Sequence, residues 1–211
     1  MRALNPTLTG IALAAALCSL ACEPPRPTGE ARGPALYETC VQCHGEKGEG
    51  NVNALAPALA GLPQWYLERQ LNNYQNGLRG KHFDDLEGLR MRPMSMAMEE
   101  EGDIKLVAAH IATFPAVEPV ALVEGGKAKK GKTAYGTCSA CHGAKGEGNV
   151  ALNAPPLNAQ HDWYLVRSLQ KFKEKVRAYD SKDTYGMQMQ PMAMPLDDQA
   201  MKDVVAYIQT L

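Results

Sequence analysis

Apolar residues recur at helical spacing in two matching sets along this chain. In the first half Tyr66, Leu67, Gln70, Leu71 and Tyr74 follow Pro63, a residue suited to a first helical turn, and Gly77 ends the run. In the second half Leu165, Leu169, Phe172 and Val176 form the stripe, with Asp162 as an N-cap candidate. A further helix is predicted from Asp103 to Phe114, with Ile104, Val107, Ala108 and Ile111 inward. Its counterpart starts at Asp197-Asp198, acids suited to a helix N-terminus, and continues through Val204, Val205 and Ile208. Short helices are predicted from Pro34 to Cys43 and from Gly131 to Cys141. No run alternates as a strand should, so the fold class is all-α.

Ahead of these elements, Leu8 to Leu20 is an apolar run behind Arg2, too short for a comfortable membrane span. Residues 1–21 therefore read as a signal peptide, implying export to the periplasm. Leu20-Ala21-Cys22 resembles the end of a lipoprotein signal, although Ser19 stands where that pattern usually has Leu. Two outcomes stay open: simple cleavage after Ala21, or a lipid anchor on Cys22 that removes an otherwise exposed thiol. Residues 22–32 are Pro-rich and polar and suit a tether.

From Gly33 the chain repeats itself at one offset. Cys40-Val41-Gln42-Cys43-His44 recurs as Cys138-Ser139-Ala140-Cys141-His142, and 142 − 44 = 98. Lys47 to Asn51 matches Lys145 to Asn149 without a change, and Trp65-Tyr66-Leu67 matches Trp163-Tyr164-Leu165. The offset shifts by one residue only before the last helix. Two domains follow, 33–115 and 131–211, joined by a linker over 116–130 that carries Pro119, Gly125, Gly126 and a lysine cluster.

The net charge of −1 gives no basis for nucleic-acid binding. With 3 Phe and 2 Trp, two small cores are short of apolar mass, and a cofactor would supply it. Six cysteines are present; four sit in the pentapeptides and Cys18 and Cys22 sit at the leader, which leaves no pair for a structural disulfide.

C-x-x-C-H is the attachment sequence for a c-type haem. Residues three apart share a helix face, so both sulfurs can reach one edge of a flat ring, and the next histidine can meet the iron. A zinc site wants four ligands, and each copy offers three. A thioredoxin-like dithiol wants a βαβ context, which is absent. His44 and His142 are thus axial ligand candidates, beside Cys40, Cys43, Cys138 and Cys141. His82, His110 and His161 are not repeated and read as surface or partly packed residues. The methionines are repeated: Met91, Met94 and Met96 match Met189, Met192 and Met194 in what reads as a loop. A thioether as second ligand raises the reduction potential. The offset does not choose among the three pairs.

The chain resembles a two-haem class I cytochrome c of the c-four-like group, over nearly all of 33–211. The likeness rests on both C-x-x-C-H units, the glycines after them, the Trp-Tyr-Leu helix, the Gly-x-Arg that closes it, and the Met cluster before a final Val-Val-Ala-Tyr-Ile-like helix. The resemblance implies two tandem domains, each of a few short helices around one covalently attached haem. It places the axial methionine seven residues before the apolar residue opening the last segment: Met189 before Leu196, and Met91 before Met98. It also implies that the Pro57 and Pro155 carbonyls accept from the axial imidazoles, and it makes Arg79 and Arg177 candidates for pairing with haem propionates. This chain departs from the group at His110, where an aromatic is usual, and in the density of its methionines.

The function implied is electron transfer between redox proteins in a respiratory chain, with no catalytic residue. A membrane respiratory complex is the expected partner, and membrane contact otherwise runs only through Cys22. The rivals are an electron-entry subunit of a membrane oxidase or reductase and a small di-haem peroxidase, which would need an open iron position. Residues 33–115 carry 7 basic and 11 acidic side chains, net −4, and residues 131–211 carry 9 and 8, net +1. The two ends can therefore prefer different partners.

Overall fold

The computed structural model describes residues 26–211, so the predicted signal peptide and Cys22 lie outside the described residues. Eight α-helices follow in order among the described residues: α1 Arg32–His44, α2 Gln64–Gln75, α3 Leu86–Met96, α4 Asp103–Ile111, α5 Ala128–His142, α6 Asp162–Lys173, α7 Thr184–Ala193 and α8 Asp198–Ile208. Four belong to each half. The only strand-like pairings among these residues are single bridges, Asn51 with Ala56 and Asn149 with Ala154, again 98 apart. No helix among the described residues is long and apolar enough to cross a membrane.

In each half the first and last helices cross at a glycine. A Cβ on Gly33 would lie 2.6 Å from the Leu106 carbonyl oxygen, and one on Gly131 would lie 1.8 Å from that of Asp203. The missing side chain lets one backbone rest on the other. Arg32 opens α1 and sends two hydrogen bonds of 2.8 Å to Asp103, the first residue of α4. Around these crossings lie Tyr37, Leu67, Leu71, Val107, Ala108 and Ile111 in the first unit. Tyr135, Leu165, Val166, Val204, Val205 and Ile208 take that place in the second. Each buried leucine, valine or isoleucine among them contributes about 1.5–3 kcal/mol by leaving water.

Three expectations need correction. The methionine clusters are not loops: they ride on α3 and α7, each with a proline inside, Pro93 and Pro191. Helix survives there because Asp85 and Asp183 cap the starts, accepting from Gly88 N at 3.1 Å and Gly186 N at 3.0 Å. Asp162 does not cap from outside. It is the first residue of α6, and its carboxylate takes the Leu122 and Val123 N–H groups, each at 2.7 Å. The 116–130 segment is thereby strapped along the second unit. His161 is no surface residue. It is 4% exposed, accepts from Val120 N at 3.0 Å through Nδ1, and donates from Nε2 to the Glu49 carbonyl at 2.7 Å.

The two units meet through α2 and α6. Arg79 donates to Tyr164 Oη at 2.9 Å, and Arg177 donates to Tyr66 Oη at 3.2 Å. Positions 79 and 177, like 66 and 164, are 98 apart, so each contact is the copy of the other. The halves join as an isologous pair does, with one patch facing its own duplicate. Gln160 adds a contact without a copy, accepting from Ala58 N at 3.1 Å and donating to Ala58 O at 2.9 Å.

Candidate functional site

Each C-x-x-C-H unit forms the last turn of a helix, α1 or α5. Cys40 and Cys138 lean inward, and Cys43 and Cys141 face outward. Burial, and then Cys43, push the Cys40 thiol up to about 11, so it stays a neutral, apolar group against the core. Past the histidine the chain turns sharply at Gly45 and Gly143. The Tyr37 and Tyr135 hydroxyls hold these turns by donating to the two glycine carbonyls at 2.6 and 2.7 Å.

His44 and His142 are each 6% exposed. Nδ1 of His44 donates to the Pro57 carbonyl at 2.8 Å, and Nδ1 of His142 to that of Pro155 at 2.8 Å. With Nδ1 as donor, the lone pair sits on Nε2, the atom that can bind a metal. Burial lowers the pKa of both imidazoles, against a raising effect from the proline carbonyls, and so favours the neutral ligand form. A glycine makes this second bond sterically accessible. Gly50 has φ +83°, and a Cβ there would stand 2.8 Å from the Pro57 carbonyl carbon. Gly148 repeats this at 2.8 Å from Pro155.

Helix α3 distributes its methionines unequally. Met94 is 42% and Met96 46% exposed, while Met91 is partly buried against the first core. On α7 Met192 is 42% exposed and Met194, just past its end, 56%, while Met189 packs near Phe172, Ala178 and Ala193. Of the three repeated pairs, Met91 and Met189 alone turn inward in both units. Met98 is buried too, but its counterpart is Leu196. Arg90 ties α3 to the loop after the first pentapeptide by donating to the Ala54 carbonyl at 3.0 Å.

Arg79 and Arg177 close α2 and α6 and lie at the junction of the units. Both donate to Gln70 Oε1, at 2.9 and 3.3 Å. Tyr164 falls to about 7: burial opposes this, and the Arg79 and Arg177 cations outweigh it. Arg79 Nε and Arg92 Nε are buried without a partner.

These features fit haem. Two sulfurs and a free imidazole nitrogen come from one helix end, and an inward thioether from another. Exposed apolar residues recur in both units, Val52 with Val150 and Leu89 with Met187, as an apolar macrocycle requires. Positive potential with unpartnered guanidinium nitrogens suits carboxylates such as propionates. The sequence reading missed the helical setting of the methionines, though Asp-x-x-Gly at 85–88 and 183–186, again 98 apart, marked both caps. It also missed the Gln160 and His161 ties, for which the repeat offered no signal.

Residues 30–115 and 128–211 each match the family described as Cytochrome c. The chain is 30% identical to a cytochrome c4 of Azotobacter vinelandii over 191 residues, 86% of this chain and 88% of that one. It is 28% identical to a thiosulfate dehydrogenase electron acceptor of Stutzerimonas stutzeri, covering 80% and 76%. The fold matches the crystal structure of reduced cytochrome c4 from Pseudomonas stutzeri with a TM-score of 0.68 and 25% identity, over 88% of this chain and 100% of that one.

Proposed function

The chain belongs to the cytochrome c family and carries two covalently attached haem c groups, and from that premise we propose that it is a periplasmic carrier that passes electrons between redox proteins with both irons closed by His/Met ligation. Haem supplies the ferric/ferrous couple, and the protein sets its potential, spacing and docking surface. In this reading Cys40, Cys43, Cys138 and Cys141 carry the thioether links, His44 and Met91 bind the first iron, and His142 and Met189 the second. Pro57 and Pro155 orient the imidazoles, and the Arg79 and Arg177 guanidiniums neutralise propionates at the junction.

The observation that carries the proposal is the recurrence, in both units, of a buried imidazole that donates to a proline carbonyl and of an inward methionine at the same offset. An oxidase or peroxidase needs at least one iron with a displaceable position. The domain boundaries proposed are 32–115 and 120–211, since Arg32 and the 120–123 strap pack onto their units. A lipid on Cys22 belongs to the same proposal and would keep the carrier beside a membrane respiratory complex. The mass of the mature N-terminus tests that part.

A redox titration with haem quantitation tests the rest. Two haems per chain, low-spin in both oxidation states and titrating as two one-electron steps, are expected. A stable high-spin ferric haem with peroxide turnover would overturn the carrier reading. A second reading, acceptor to a sulfur-compound dehydrogenase, draws on the 28% identical relative of that name. Rapid reduction by a thiosulfate-oxidising dehydrogenase, and not by quinol-oxidising complexes, would favour it.

A further inference from the structure

Asp85 caps α3, the helix that carries Met91, and it is 2% exposed. Its other partner comes from the second unit. Lys171 Nζ, on α6, donates to Asp85 Oδ1 at 2.5 Å and to Glu87 Oε2 at 2.6 Å. Arg167, one turn earlier, donates from Nε to Glu87 Oε1 at 3.1 Å. Two cations of one unit thus grip the first turn of a helix in the other. Lys171 is itself 8% exposed, so water competes little for its ammonium.

The repeat supplies an internal control. Lys171 corresponds to Asn73, and Asp85 to Asp183, each at the 98-residue offset. Asn73 Nδ2 meets Asp183 Oδ1 at 3.5 Å, the outer limit of a hydrogen bond. Glu87 corresponds to Tyr185, whose ring lies 4.9 Å from the Arg69 guanidinium. Helix α7, which carries Met189, therefore meets a neutral amide and a guanidinium laid over its own Tyr185 ring, where α3 meets a cluster of ion pairs.

At this end of α3 Leu86 and Leu89 are exposed, Gly88 is buried against Gly80, and Arg90 reaches the Ala54 carbonyl. Farther along, Pro93 removes one ladder bond and crowds the preceding turn. A buried carboxylate that loses its cation is strongly disfavoured, so the cap and the cross-unit pair stand together.

We propose that Lys171 is a positioning residue that acts across the junction: it fixes the start of α3 and through it holds Met91 on the first iron, with no equivalent at the second. This rests on Met91 as axial ligand. The second unit thereby tightens the first haem's ligation, and the first unit makes no ion pair of this kind with α7.

Free imidazole competes with an axial methionine and measures how readily it is released. Lys171→Met is made in holo-protein carrying Met189→Ala, where the thioether absorption reports the first haem alone, and in holo-protein carrying Met91→Ala, where it reports the second. Apparent imidazole affinity at the first haem should rise roughly tenfold, because part of a buried-pair loss falls on the closed form. It should stay unchanged at the second. Lys171→Arg should restore the starting affinity, and Asn73→Ala should move neither haem. No change at the first haem, or an equal rise at both, overturns the proposal. If Lys171→Met does not accumulate, Lys171→Met with Asp85→Asn removes both charges and is read by the same two outcomes. Met91→Ala alone separates the premises. If it leaves the thioether absorption intact, the ligand reading falls and the proposal with it. If it removes its share while the Lys171 variants change nothing, the positioning role alone falls.

Discussion

The two units agree most closely around their histidines and differ most where each methionine helix is held by the other unit. The His–Pro hydrogen bonds are 2.8 Å in both, and the Tyr–Gly bonds that secure the turns differ by 0.1 Å, 2.6 against 2.7 Å. By contrast, α3 is gripped by Lys171 and Arg167, while α7 is met by Asn73 and Arg69. The outer helices differ as well. Asp197 caps α8, accepting from Ala200 N at 2.7 Å, whereas α4 starts after Gly102 with no side-chain cap and relies on the Arg32–Asp103 pair. Duplication has kept the groups that would touch the cofactor and let the supports diverge. Ligand geometry allows few substitutions, while a helix can be anchored by a cap, an ion pair or a stacked ring at similar cost.

The comparison can be broken most severely at the attachment cysteines. Cys40→Ala with Cys43→Ala should remove about half of the haem per chain, and Cys138→Ala with Cys141→Ala the other half, by pyridine haemochrome assay. If either pair leaves haem content unchanged, the assignment of one haem to each unit fails.

Next come the methionines. Met91→Ala and Met189→Ala should each abolish about half of the thioether-to-ferric absorption and lower the potential of one haem. The same loss from Met94→Ala or Met192→Ala would move the ligand to the exposed face of the helix.

The helix crossings sharpen the comparison on stability. Gly131→Ala should cost about 1–3 kcal/mol or more, because the added carbon meets backbone that cannot give way. Gly33→Ala should cost less, since its contact at 2.6 Å is looser than the 1.8 Å at Gly131. Guanidinium unfolding of the two variants would show this, and the reverse order would contradict the packing.

The smallest effect concerns pH. Burial alone would raise the Glu87 pKa, but the Lys171 hydrogen bond, with Arg167, overrides it and holds the group at about 2, against an ordinary 4.5. Its folded-state pKa is depressed, so its stabilisation is present above 4.5 and is lost as pH falls from there to about 2. Glu87→Gln should therefore narrow the gap to the parent protein across that interval. A gap that stays constant from neutral pH down to 2 would show that Glu87 gains nothing from its cations.

Much of this molecule was legible before folding. The pentapeptides fix where a haem can be attached, because two sulfurs three residues apart and an adjoining histidine need only local helix. Equal spacing of Trp-Tyr-Leu, the closing arginines and the methionines made the duplication plain, and helical stripes together with the segments leading into the pentapeptides identified six of the eight helices. The sequence alone therefore determined the cofactor chemistry and an all-α pair of domains, since both depend on residues close together along the chain. Only the tertiary structure decided that the methionines ride on helices despite their prolines, that Met91 and Met189 face inward, and that Lys171 of one unit pairs with the carboxylate capping the other's helix. Arg79 and Arg177 read as local helix ends, yet each reaches the other unit's tyrosine. Such contacts join residues some 85 to 111 positions apart and exist only once the two copies have docked face to face. No local pattern encodes that docking; it follows from the shape and charge of the assembled patch.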